Sequence, residues 1–92
     1  MKVTYDPNKR QKTLEKRGLD FEDAEKIFKG PVFEFEDIRQ DYGEKRMLCF
    51  GFLAERLVVV GYVKRDDCRH VFSMRKANDR EKAAFEHRLS KS

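Results

Sequence analysis

A chain of 92 residues carrying a net charge of +4 suits a single domain spanning residues 1–92, because a polypeptide this small buries only about 60 to 65% of its unfolded surface. No apolar run approaches the roughly 20 residues of a membrane span and no signal-peptide pattern opens the chain, so a soluble cytoplasmic protein without a membrane partner is expected. Charge is unevenly divided: residues 1–19 hold six cations and two anions, residues 20–44 three and nine, and residues 45–92 twelve and six, which suggests an acidic flank beside a basic working face, against the plainer reading of an ordinary solvated surface.

Lys2 to Tyr5 alternates polar and apolar residues and reads as a short strand. Asp6-Pro7 then offers an N-cap with proline at the first helical position, predicting a helix from Pro7 to about Arg17 that Gly18 stops. Leu14 is its only large apolar residue, so this helix must be a surface element held by whatever it covers. Asp20 caps a second helix in which Phe21, Ala24, Ile27 and Phe28 share one face, and Gly30-Pro31 ends it. Val32 to Phe35 starts a strand that decays into polar Glu36 to Glu44, with a turn signal at Tyr42-Gly43.

Three strands follow: Arg46 to Leu53, Arg56 to Arg65, and Cys68 to Arg75. Their two-residue connections, Ala54-Glu55 and Asp66-Asp67, imply an antiparallel meander. Leu57 to Val63 is apolar on both faces, as a central strand would be. Strict alternation along the last strand places Arg69, Val71, Ser73 and Arg75 on one face and Cys68, His70, Phe72 and Met74 on the other. Asn78 and Glu81 then form a capping-box pattern that opens a final helix, and Ser90-Lys91-Ser92 reads as a frayed tail. The expected class is α+β: a small antiparallel sheet of about four strands with two N-terminal helices and one C-terminal helix.

The strand-to-helix junction gathers Arg75, Lys76 and Arg80 within about one helical turn. Three such cations suit an anion, since guanidinium groups match phosphate oxygens bidentately. Cys49 and Cys68 match neither a zinc site nor a redox CxxC, and the acids offer no convergent pair for a two-metal centre. No metal and no cofactor is expected, and both thiols read as buried and reduced.

Four ordered segments carry a resemblance. They are Tyr5-Asp6-Pro7-Asn8-Lys9, Lys16 to Ala24, Asp41-Tyr42-Gly43-Glu44-Lys45-Arg46, and Ser73 to Glu81. Together they resemble the BrnT toxins, ribonucleases of type II toxin–antitoxin modules. The resemblance implies a RelE-like fold, RNA cleavage that halts translation and growth, and a BrnA-like ribbon-helix-helix antitoxin. It also implies a two-plus-two assembly that meets operator DNA only through the antitoxin. The chain departs from the family pattern at Arg17, where the family often has His, and at His70, where it often has Arg.

Cleavage of RNA without a metal needs a base for the ribose 2′-OH, cations for the phosphorane and an acid for the departing 5′-oxygen. Arg46, Arg75 and Arg80 suit the phosphate, each set against an ordinary surface ion pair. Glu44 or His70 could act as base or acid, although Glu44 could merely balance local charge and His70 could be structural. Lys45, Arg69, Ser73 and Lys76 are candidate RNA contacts, and Glu81 is assigned to capping. Two readings from other classes stand beside this one: a non-catalytic RNA- or ribosome-binding module, and an interaction subunit for a DNA-binding partner.

Overall fold

A computed structural model describes residues 2–90, apart from the side chain of Ser90. The expected tail at Lys91 and Ser92 lies outside them. Five strands, β1 (Lys2–Tyr5), β2 (Val32–Glu36), β3 (Arg46–Leu53), β4 (Arg56–Arg65) and β5 (Cys68–Lys76), form one sheet in the order β1-β5-β4-β3-β2. The α+β class is as expected, but the sheet has five strands and is mixed. β1 runs parallel to β5, with Lys2 opposite Cys68 and Tyr5 opposite Val71. A parallel neighbour needs a long crossover, and here that crossover is everything between the first strand and the last.

The central strand β4 is buried on both faces from Leu57 to Val63. On one face Phe21 of a 3₁₀ turn (Phe21–Asp23) and Ala24 and Ile27 of α2 (Ala24–Lys29) pack on Cys49, Val58, Val60, Tyr62, Val71 and Met74. Gly51 permits that approach, because a Cβ there would lie 2.6 Å from Ile27 Cγ2. The opposite face is half covered by a C-terminal helix built from α-helical Asp79–Glu81, π-helical Lys82–Glu86 and α-helical His87–Ser90. Its Phe85 and Leu89 sit over Phe50, Leu57, Val59 and Phe33, with the Phe85 and Phe50 ring centroids 4.6 Å apart. The capping box is complete: Glu81 N–H donates to Asn78 Oδ1 at 2.8 Å and Asn78 N–H to Glu81 Oε1 at 2.9 Å.

Alternation along β5 fails at one residue. Gly61 pairs with Ser73 but Tyr62 pairs with Val71, so Phe72 is an extra residue, a β-bulge. Gly61 makes room for it, since a Cβ would lie 2.5 Å from Ser73 Oγ and 2.8 Å from the Phe72 ring. The bulge resets the faces and corrects the expected division. Arg69, Val71 and Met74 share the α2 face, whereas His70, Phe72, Ser73 and Arg75 share the other.

Helix α1 (Pro7–Arg17) buries no residue. Asp6 caps its start by accepting from Asn8 N–H at 2.8 Å, and Gly18 ends it in the left-handed region at φ 68°. Two arginines fasten it. Arg10 donates bidentately to Asp20 at 2.8 and 3.0 Å, and Arg17 Nη1 donates to the Met74 carbonyl at 2.8 Å. The second bond has a topological reason: β1 pairs with β5 only as far as Val71, so the β5 edge beyond it still needs donors.

Candidate functional site

The half of the sheet face that the C-terminal helix leaves open is where polar side chains gather. Arg46 on β3, Val63 on β4 and His70 on β5 lie in one cross-strand row, which sets Arg46 and His70 about 10 Å apart, two inter-strand spacings. The Arg46 guanidinium is held between two rings, 4.2 Å from the centroid of Tyr42 and 4.6 Å from that of Phe72. Stacking fixes its plane and weakens its hydration. Its Nε is buried without a hydrogen-bond partner.

His70 shares a 3.0 Å hydrogen bond between Nδ1 and Thr4 Oγ1, a contact that exists because β1 lies in register beside β5. Burial, with Arg65 and Lys9 nearby, lowers the His70 pKa, while Glu44 and Asp6 oppose the shift. The ring is therefore inclined to be neutral. Glu44 lies in the loop two residues before β3, with Arg65 Nη2 3.5 Å from its Oε1.

The loop that carries Tyr42 is organised by Asp37, a buried carboxylate. It accepts from Arg39 Nε and Nη2 at 2.8 Å each, from Arg39 N–H at 3.2 Å and from Tyr42 O–H at 3.0 Å. Arg39 above all holds this carboxyl well below the usual range. Asp37 thus positions the ring that positions Arg46. Beside Phe72 and Ser73, Lys9, Lys12, Thr13, Lys16 and Arg17 of α1 complete a shallow groove of about 250 Å³.

The other expected site residues lie elsewhere. Arg69 is on the α2 face, 4.2 Å over the Phe28 ring and 5.4 Å from that of Tyr62, so it cannot share a surface with Ser73. Arg75 is opposite Val59, four residues or about 13 Å along β4 from the Arg46 row. Its fork is occupied by Glu81 at 2.7 and 2.8 Å, and that carboxylate raises the Arg75 pKa. Arg80 and Lys76 are exposed at the helix start. The junction therefore holds one cation paired with Glu81 and two exposed ones, not three open cations. Lys45 lines a cleft with Met47 and Tyr62 on the α2 side. Residues missed in the sequence are Asp37, Phe72 and the α1 lysines, although the spacing of Lys9, Lys12 and Lys16 is itself the mark of one helix face.

A family model described as the ribonuclease toxin, BrnT, of type II toxin–antitoxin systems matches residues 5–81. The chain belongs to the BrnT family. Curated proteins yield no match. A BrnT toxin is a ribonuclease of a module that includes an antitoxin, and this BrnT member gathers a stacked guanidinium, an imidazole and lysine side chains around Phe72 and Ser73. Among the described residues no helix is long and apolar enough to cross a membrane.

Proposed function

We propose that this BrnT toxin is an endoribonuclease that works by attack of a ribose 2′-OH on the adjacent phosphodiester, with protein cations in place of a metal. The observation that carries the reading is the row in which Arg46 and His70 flank Val63 on the open face of the sheet. In this reading the phosphate lies between the Arg46 and His70 side chains, which flank the buried Val63. Neutral His70 takes the 2′-OH proton through Nε2, because Nδ1 is engaged with Thr4. The 2′-oxygen then bonds to phosphorus, and the P–O5′ bond breaks. The 5′-oxygen leaves with a proton drawn from solvent water, giving a 2′,3′-cyclic phosphate and a 5′-hydroxyl, and the His70 imidazolium returns its proton to solvent.

Arg46 neutralises the phosphorane, and Ser73 supplies a hydrogen bond to phosphate oxygen. Glu44 biases His70 electrostatically. Arg75 is assigned to holding the C-terminal helix through Glu81. In this reading charge stabilisation comes from Arg and Lys.

The antitoxin is proposed to be a BrnA-like ribbon-helix-helix protein that covers this basic face in a two-plus-two assembly and alone contacts operator DNA. Messenger RNA cleavage would then account for arrested translation. Incubation of the purified protein with end-labelled RNA in excess EDTA tests the chemistry: new cyclic-phosphate ends are expected, while DNA and 2′-O-methyl RNA remain intact. Loss of cleavage in EDTA with recovery on adding magnesium, or cleavage of DNA, overturns the mechanism. Absence of any cleavage, together with retained RNA binding, identifies a binding module instead.

A further inference from the structure

Helix α1 carries a one-sided row of lysines that the chemical step does not require. Lys9, Lys12 and Lys16 are spaced by three and four residues, so they share one helix face over about 10 Å. All three are exposed, and none has a carboxylate within 4.0 Å among the described residues, whereas Arg10 on the same helix is paired with Asp20 at 2.8 Å. The row does not face open solvent alone. It forms one wall of the groove whose other wall is Phe72 and Ser73, and the Arg17 bond to the Met74 carbonyl at 2.8 Å fixes the helix against that edge. An unpaired cation row beside an aromatic ring and a hydroxyl is the arrangement that tracks a single-stranded backbone.

We infer that the α1 groove is a phosphate track for single-stranded RNA, gripping the segment that flanks the cleaved bond and delivering it to Arg46. The inference rests on the ribonuclease reading for its choice of polymer, but its test measures binding without cleavage. Each neutralised phosphate contributes about 0.7 to the salt dependence of single-strand binding. The triple variant K9A/K12A/K16A should therefore bind a fluorescent 2′-O-methyl oligoribonucleotide with a log–log salt slope smaller by about 2, and about 100-fold more weakly at 0.1 M salt than wild type. Alanine is the best helix former, so α1 should persist, and circular dichroism checks it. K26A/K29A, on α2, removes two cations from the other side of the sheet and should leave the slope unchanged.

A triple variant with wild-type affinity and slope overturns the track. So does an equal slope loss in K26A/K29A, which would mark diffuse attraction. RNA binding that survives while binding of polyglutamate is lost assigns the groove to an acidic protein partner and also overturns it. Wild-type protein that binds through the lysines yet never cleaves unmodified RNA leaves the track standing and removes the ribonuclease mechanism.

Discussion

Arg46 owes its position to three neighbours, and each could be lost separately. Tyr42 and Phe72 sandwich the guanidinium, and Asp37 N–H donates to the Arg46 carbonyl at 2.8 Å. A lysine keeps the charge but cannot stack as a plane or fork onto phosphate. Arg46→Lys should therefore cut kcat at least about tenfold, the equivalent of 1.4 kcal/mol in the barrier, with little change in Tm. Full activity would show that Arg46 serves only as charge. His70 makes the complementary case through pH. Burial first, then Arg65 and Lys9, disfavour the imidazolium, so its protonation midpoint in the folded protein falls below the ordinary value of about 6.5. Cleavage should decline on the acid side of a midpoint below about 6.5, and a pH–rate profile of His70→Gln should lack that limb. An unchanged limb in the variant would assign the base elsewhere.

At the scale of elements, the bulge at Phe72 decides which side chains meet. Period two, read strictly, puts Arg69 with Ser73, yet one extra residue separates them across the sheet. The signal was present in part, because an isolated glycine inside an apolar strand, Gly61, marks a bulge or a close approach. Gly61→Ala would press a methyl into Ser73 and Phe72, which should cost about 1 to 3 kcal/mol by urea unfolding and reduce cleavage by displacing the Phe72 ring from Arg46. The β3–β4 turn makes a milder prediction. Ala54 and Glu55 both have positive φ, 49° and 65°, the conformation in which Asn-Gly is preferred. Relief of the left-handed penalty should make Glu55→Gly more stable by about 1 kcal/mol, with activity intact, as the turn is remote from Arg46. Strand ranges, helix caps and the buried reduced Cys49 were legible because each is a local property. The half-buried Cys68 and the parallel edge were not, because both depend on β1 reaching β5.

Over the whole molecule, stability against acid rests on carboxylates that accept from arginine. Asp20 with Arg10, Asp37 with Arg39, and Glu81 with Arg75 all have lowered pKa values. A carboxyl whose folded-state pKa is depressed contributes stability that is complete above its unfolded value of about 4 and is lost as pH falls toward the folded value. Thermal midpoints should therefore hold from neutrality to about pH 5 on account of these three groups and drop steeply below about 4. Asp37→Asn should flatten that drop while lowering stability at pH 7. A midpoint insensitive to acid would show that the pairs are screened in solution.

By itself the sequence determined the elements, their caps, the apolar central strand and, through four ordered motifs, the family. Those features depend on spacing within a few residues, where sterics and period do the selecting. Tertiary structure alone decided which cations lie together. It set Lys9 near His70, moved Arg69 to the opposite face, closed the Arg75 fork on Glu81, and clamped Arg46 between rings thirty residues apart in the chain. The physical reason is that charges act through space. Their neighbours are set by a parallel pairing and one bulged residue, neither of which has a period to read.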